Sequence, residues 1–214
     1  MKRTKDDIGS TIDGEDNLAK MIMIEQAIDS AEEITEDVSR SYAFCDCIIA
    51  IVELARETNN KDALIGVNPL LKKIENIGAY VRAQSYYAIA LATFNEGEEA
   101  QAILQRAIKK SYQIKDDFDR RDAILDIATA AGDVSFLSEN KTLIETALNL
   151  SPHLAKGQIA YLYGYLANIL DGEESKSLMR EAVEIAGKVK DPITRSKVFL
   201  ELAGLMSNFK QKYE

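Results

Sequence analysis

Few residues in this sequence have the type and spacing that chemistry requires. The one histidine, His153, follows Pro152 where a helix is expected to start. General acid-base work needs a partner within hydrogen-bond reach. The neighbours Leu150-Ser151-Pro152-His153-Leu154-Ala155-Lys156 offer none. Cys45 and Cys47 flank Asp46. On a helix, residues two apart point to nearly opposite faces, so the pair can neither clamp a metal nor bond to each other. Cys47 is expected in the core and Cys45 nearer the surface. Acid pairs occur at Glu32-Glu33, Glu98-Glu99, Asp116-Asp117 and Glu173-Glu174. Two of these open helices, where negative charge meets the positive end of the helix dipole. There is no Gly-rich phosphate loop, zinc signature or nucleophile elbow. The expectation is therefore a protein with no catalytic residue, no metal and no cofactor.

One bias stands out. The chain has nine Tyr and no Trp. Tyr80, Tyr86 and Tyr87 fall in one expected helix, and Tyr161, Tyr163 and Tyr165 in another. Tyrosine suits binding surfaces because it joins a rigid apolar ring to a hydroxyl.

The elements that position these side chains read as helices. From Leu18 on, apolar residues recur at steps of three and four, and strict alternation is rare. Ile24, Ala27, Ile28, Ala31 and Ile34 form one stripe, and Ala182, Val183, Ala186 and Val189 another. Ser151-Pro152 and Asp191-Pro192 mark helix starts, since the polar residue can cap and proline at the first position loses no bond. Asn95-Glu96-Gly97, Gly132-Asp133 and Asp171-Gly172 read as short turns between antiparallel helices. About ten helices are expected, with no strand.

The helices repeat. With Arg40, Arg82, Arg120, Lys156 and Arg195 as origins, offset four holds Phe44, Tyr86, Ile124, Ala160 and Phe199. Offset seven holds Cys47, Ile89, Ile127, Tyr163 and Leu202, and offset eight Ile48, Ala90, Ala128, Gly164 and Ala203. Such offsets lie on one helix face. An echo, Ala27-Ile28, Ala107-Ile108 and Ala182-Val183, precedes three of the origins by the same distance. One helical hairpin cannot bury its apolar face alone, so hairpins are expected to stack in a row. The fold expected is all-α, an α-α superhelix of about five antiparallel helix pairs over residues 18–214, preceded by a flexible polar tail over 1–17.

At these residues the chain resembles tetratricopeptide-type repeat proteins. Ile89-Ala90, Ile127-Ala128, Tyr163-Gly164 and Leu202-Ala203 stand where that family has a Leu-Gly-like pair, and Ala100 and Ala107 have the spacing of its second-helix alanines. The departures are units near 39 residues against the family's 34, and a mostly missing terminal proline. HEAT-type stacking is the alternative, and the echo also resembles repeats of uncharacterised archaeal and bacterial proteins. The resemblance implies a non-catalytic scaffold with a concave groove that binds a protein or peptide. It would place Tyr42, Gln84, Tyr87, Gln158, Tyr161 and Tyr165 on the groove wall. It also implies no receptor for acidic tails, because the groove positions carry only one Lys, Lys197.

Composition agrees with this reading. Of 214 residues, 35 are Asp or Glu and 26 Lys or Arg, a net charge of -9. That disfavours nucleic acid, which needs a basic surface, and favours an apolar or basic partner. No apolar run approaches the ~20 residues of a membrane span, and two cysteines cannot make a disulfide framework, so a cytoplasmic protein is expected. The alternative function is an enzyme or small-ligand binder with its site in the groove.

Overall fold

A computed structural model describes the backbone over residues 5–213 and side chains over 16–206. Among these residues there are ten α-helices and no strand. They are α1 (Lys5–Glu32), α2 (Asp37–Glu57), α3 (Val67–Leu71), α4 (Ile77–Thr93), α5 (Gly97–Ser111), α6 (Asp117–Ser138), α7 (Thr142–Leu150), α8 (Lys156–Ile169), α9 (Gly172–Gly187) and α10 (Pro192–Tyr213). Short 3₁₀ segments, Lys61–Gly66 and Ser151–His153, precede α3 and follow α7. The backbone of α1 takes in most of the stretch expected as a flexible tail, and residues 1–4 lie outside the described residues.

One turn recurs along the chain. The N–H groups of Ile34, Ile74, Ile114, Leu154 and Val189 each donate to the carbonyl three residues earlier. The first four lie forty residues apart, and Val189 follows at thirty-five. Two residues after four of these comes a polar residue that satisfies free N–H groups of the next helix. Glu36 accepts from Val38 and Ser39, Asn76 from Ala79, Asp116 from Phe118 and Asp119, and Asp191 from Thr194. Four residues further on, Arg40, Arg120 and Arg195 reach back with Nη1 to the carbonyls of Ile34, Ile114 and Val189, at 3.2, 3.2 and 3.1 Å.

In α4 that place belongs to Tyr80, because Asn76 is the cap and Ile74 closes the turn. This corrects the register read with Arg82 as origin. A cap and a buried apolar residue fix where a helix begins, whereas a basic side chain can stand on any nearby turn. With Tyr80 as origin, α4 buries Gln84, Tyr87, Ala88 and Leu91 in the columns of Phe44, Cys47, Ile48 and Ile51. Helix α8 begins at Lys156, two residues after Leu154, so its origin by the same count is Ala160, about one turn beyond Lys156. A full turn leaves the same face inward, and Ala160, Gly164 and Ala167 are buried.

Packing follows from these columns. Helix α2 packs on α4, α4 on α6, α6 on α8 and α8 on α10, while α4–α5, α6–α7 and α8–α9 form antiparallel hairpins. A main core extends from Ala31 to Met179. A second cluster of Ala160, Ala182, Ala186, Val198 and Leu202 joins α8, α9 and α10. Cys45 and Cys47 are both buried, and burial pushes the Cys45 thiol up to about 12. The expectation that Cys45 lies nearer the surface is therefore overturned, because offset five of α2 faces α4 rather than water.

Candidate functional site

The even-numbered helices share a face that carries most of the polar chemistry. Tyr42 of α2 reaches the start of α4, where its hydroxyl oxygen lies 3.3 Å from where a Cβ on Gly78 would stand. Arg82 of α4 comes next. Its Nε is buried without a hydrogen-bond partner among the described residues, and its charge acts on Asp126, Cys45, Tyr86 and Asp46. Burial raises the Asp126 carboxyl to about 6, which Arg82 partly opposes. Tyr86 lies within electrostatic reach of Tyr161 and Tyr165.

Tyr161 and Tyr165 stand one turn apart on α8, their rings stacked with centroids 6.1 Å apart. The Tyr165 hydroxyl donates to Asp133 of α6 at 2.6 Å. Burial, and then the charge of Asp133, hold this phenol far above its ordinary value. Burial likewise raises the Asp133 carboxyl, against the pull of the hydrogen bond. Tyr165→Phe should cost about 1–3 kcal/mol at neutral pH, because it strips a donor from a mostly buried carboxylate. The loss should shrink in acid, where Asp133 is protonated. Melting curves at pH 7 and pH 4 check this.

Between the N-terminal halves of α6, α8 and α10 lies a cleft of about 750 Å³. Phe118, Leu125, Tyr161 and Val198 give it apolar walls, with Asp122, Glu201, Arg121 and Lys197 around them. Gln158 holds one edge. Its Oε1 accepts from the Ala155 N–H at 3.0 Å, and its Nε2 donates to Asp122 at 2.7 Å. Phe118 is 67% exposed, a large apolar side chain left in water at the mouth.

Of the six residues expected on one wall, Tyr42, Gln158, Tyr161 and Tyr165 lie on this face. Gln84 and Tyr87 do not. Both are buried and line a separate cleft of about 260 Å³ with Asn68, Lys72, Tyr80 and Arg106. The two-residue error in register caused the misplacement. Moving the origin back two places puts Arg82 where Gln84 was expected and Ser85 where Tyr87 was, with Tyr86 next to it on the shared face, and Asn76 was the signal that could have found them. Asp126 and Asp133, one offset and one turn removed from the tyrosines, also belong to the face. Among the described residues no group of His, Cys, Asp and Glu could hold a metal ion, and no helix is long and apolar enough to cross a membrane.

No family model, no curated protein and no solved structure matches the chain.

Proposed function

We propose that the chain is a tetratricopeptide-like α-α superhelix whose even-numbered helices line the inner surface, and that it serves as a non-catalytic scaffold for a protein or peptide segment. The reading is carried by the cleft between α6, α8 and α10. It is built from three successive even-numbered helices, walled by Phe118, Leu125, Tyr161 and Val198, and open enough to leave Phe118 exposed. An extended segment with alternating apolar and polar side chains fits such a surface better than a compact substrate does.

Charge selects the kind of segment. The cleft sets Asp122 and Glu201 beside Arg121 and Lys197. The face leading to it adds Asp46, Asp119, Asp126 and Asp133, against Arg82 and Arg56. The resulting field attracts cations, and opposite charge across an interface steers encounter more than it deepens affinity.

The test uses two peptide sets, one of Lys, Leu and Phe and one in which Glu replaces Lys. Wild-type protein should bind the basic set saturably, with association slowed by salt. Tyr161→Ala should weaken binding about thirty-fold, the loss of one aromatic anchor of about 2 kcal/mol. Preference for the Glu set, or unchanged affinity in a folded Tyr161→Ala protein, contradicts the reading.

A further inference from the structure

We infer that the two end helices are complementary, and that α10 of one molecule receives α1 of a second copy of this chain, so that molecules join head to tail. The inference rests on the recurring turn and is independent of the groove reading.

Seven residues before each turn residue stand Ala27, Val67, Ala107, Ala147 and Ala182. Four of them, Val67, Ala107, Ala147 and Ala182, have no exposed surface. Each lies in the segment that packs against the even helix before it or beside it. Ala27 alone is exposed. Four residues earlier the contrast repeats. Met23 is 58% exposed, whereas its equivalents Ile103, Leu143 and Leu178 are 2, 2 and 7% exposed. Among the described residues α1 packs substantially only on α2. Its other face therefore has the side chains of a seat for an even-numbered helix, with no such helix in it.

Helix α10 shows the converse. It packs on α8 and α9. Phe199 is 40% exposed and Met206 38%, where their equivalents Phe44, Gln84 and Ile124, and Ile51, Leu91 and Ala131, are buried. This even-numbered helix presents the face that in α4, α6 and α8 carries an odd-numbered partner. Each end thus offers the half that the other lacks.

Polarity and charge agree. In the antiparallel hairpins the start of the even helix lies beside the end of the odd one. The start of α10 has Lys190, Arg195 and Lys197 around the capping Asp191, a positive balance, and the end of α1 has Asp29, Glu33 and Glu32, the last already paired with Lys73. The joint is heterologous, since two different surfaces meet, so it extends rather than closing at two copies.

Two variants separate the ends. Ala27→Arg blocks the α1 face, and the pair Phe199→Glu, Met206→Glu blocks the α10 face. Wild-type mass, followed by light scattering across a wide concentration range, should rise beyond that of a dimer. Each blocked protein alone should stay monomeric. An equimolar mixture should double in mass and stop there, because only one joint can form. A wild type that stays monomeric at every concentration overturns the inference, as does either blocked protein pairing with itself or a mixture that stays monomeric. Crosslinking keeps the test sharp if a blocked protein folds poorly. Oxidising Ala27→Cys protein mixed with Phe199→Cys protein should give the mixed dimer. Only Ala27→Cys self-pairs, or no crosslink, would overturn it.

Discussion

Gly164→Arg is expected to unfold the α8–α10 end of the protein. A Cβ at Gly164 would overlap Leu202 Cδ2 and lie 3.3 Å from Leu205 Cδ1 and 3.9 Å from Ala182 Cβ. Two helices therefore meet this position at once, α10 on one side and α9 on the other. Leu202 is itself buried and held by Val198 and Ala160, so it has little room to retreat. Overpacking of a filled core costs roughly 1–3 kcal/mol, and an unpaired buried charge adds more. Together they should exceed about 4 kcal/mol, a large part of the roughly 5–15 kcal/mol that holds a domain folded. Gly204 is the control. It stands in α10 with nothing within 4 Å of its would-be Cβ. Gly204→Ala should raise stability by up to about 1 kcal/mol through helix propensity alone. Denaturant titration of both variants checks the contrast. An unchanged midpoint for Gly164→Arg would show that α8 and α10 do not meet at that residue.

Asp126→Asn should stabilise the protein at pH 7.5 and leave it nearly unchanged at pH 4. Burial raises the folded carboxyl from 3.8 to about 6. The folded protein thus holds this proton to higher pH than the unfolded chain does. The associated stability is fully present below about pH 4 and is lost as pH rises through 6. The gap corresponds to at most about 3 kcal/mol at neutral pH. Arg82 offsets part of the gain, since the variant removes its nearest opposing charge. Asp133 on the same helix is shifted in the same direction by burial, so wild-type stability itself should decline between pH 4 and pH 7 from this helix. Chemical denaturation at the two pH values reads both effects. Equal gains at pH 4 and pH 7.5 would show that the carboxylate is well solvated.

Most helices were legible because their apolar spacing is strict and starts such as Asp191-Pro192 are chemically marked. But Gly132-Asp133, expected as a turn, lies inside α6, and Ser151-Pro152 opens only a 3₁₀ segment before α8 begins at Lys156. The Ala27, Ala107 and Ala182 echo aligned α1, α5 and α9 with one another, whereas the turns that end them at Ile34, Ile114 and Val189 are seen in the hydrogen bonds. Gly164 was legible as a close-contact position because its column is otherwise small at Ala128 and Ala203, and stays small at Ala88 once the α4 register is corrected. Tyr42, Gln158, Tyr161 and Tyr165 fall on the shared face because α2 was read in register and an error of about one full turn in α8 leaves its face unchanged. Gln84 and Tyr87 were misplaced for a local reason. Helix α4 has Tyr80 where α2, α6 and α10 have Arg, and the nearest basic residue, Arg82, drew the origin two positions along. Two positions on a helix is more than half a turn, so the assigned face was the wrong one. The burial of Asp126 and Asp133 was not legible, because a carboxylate in an acidic chain reads as solvated until the helices that cover it are known, and Asp133 read as part of a turn.

The most direct test of the central claim is chemical-shift mapping of the ¹⁵N-labelled protein with a short Lys-, Leu- and Phe-containing peptide. Saturable shifts are expected at Phe118, Asp122, Leu125, Gln158, Tyr161, Val198 and Glu201, with the Glu-containing peptide leaving them in place. Shifts confined to α5, α7 and α9, or a stronger response to the Glu-containing peptide, would contradict it.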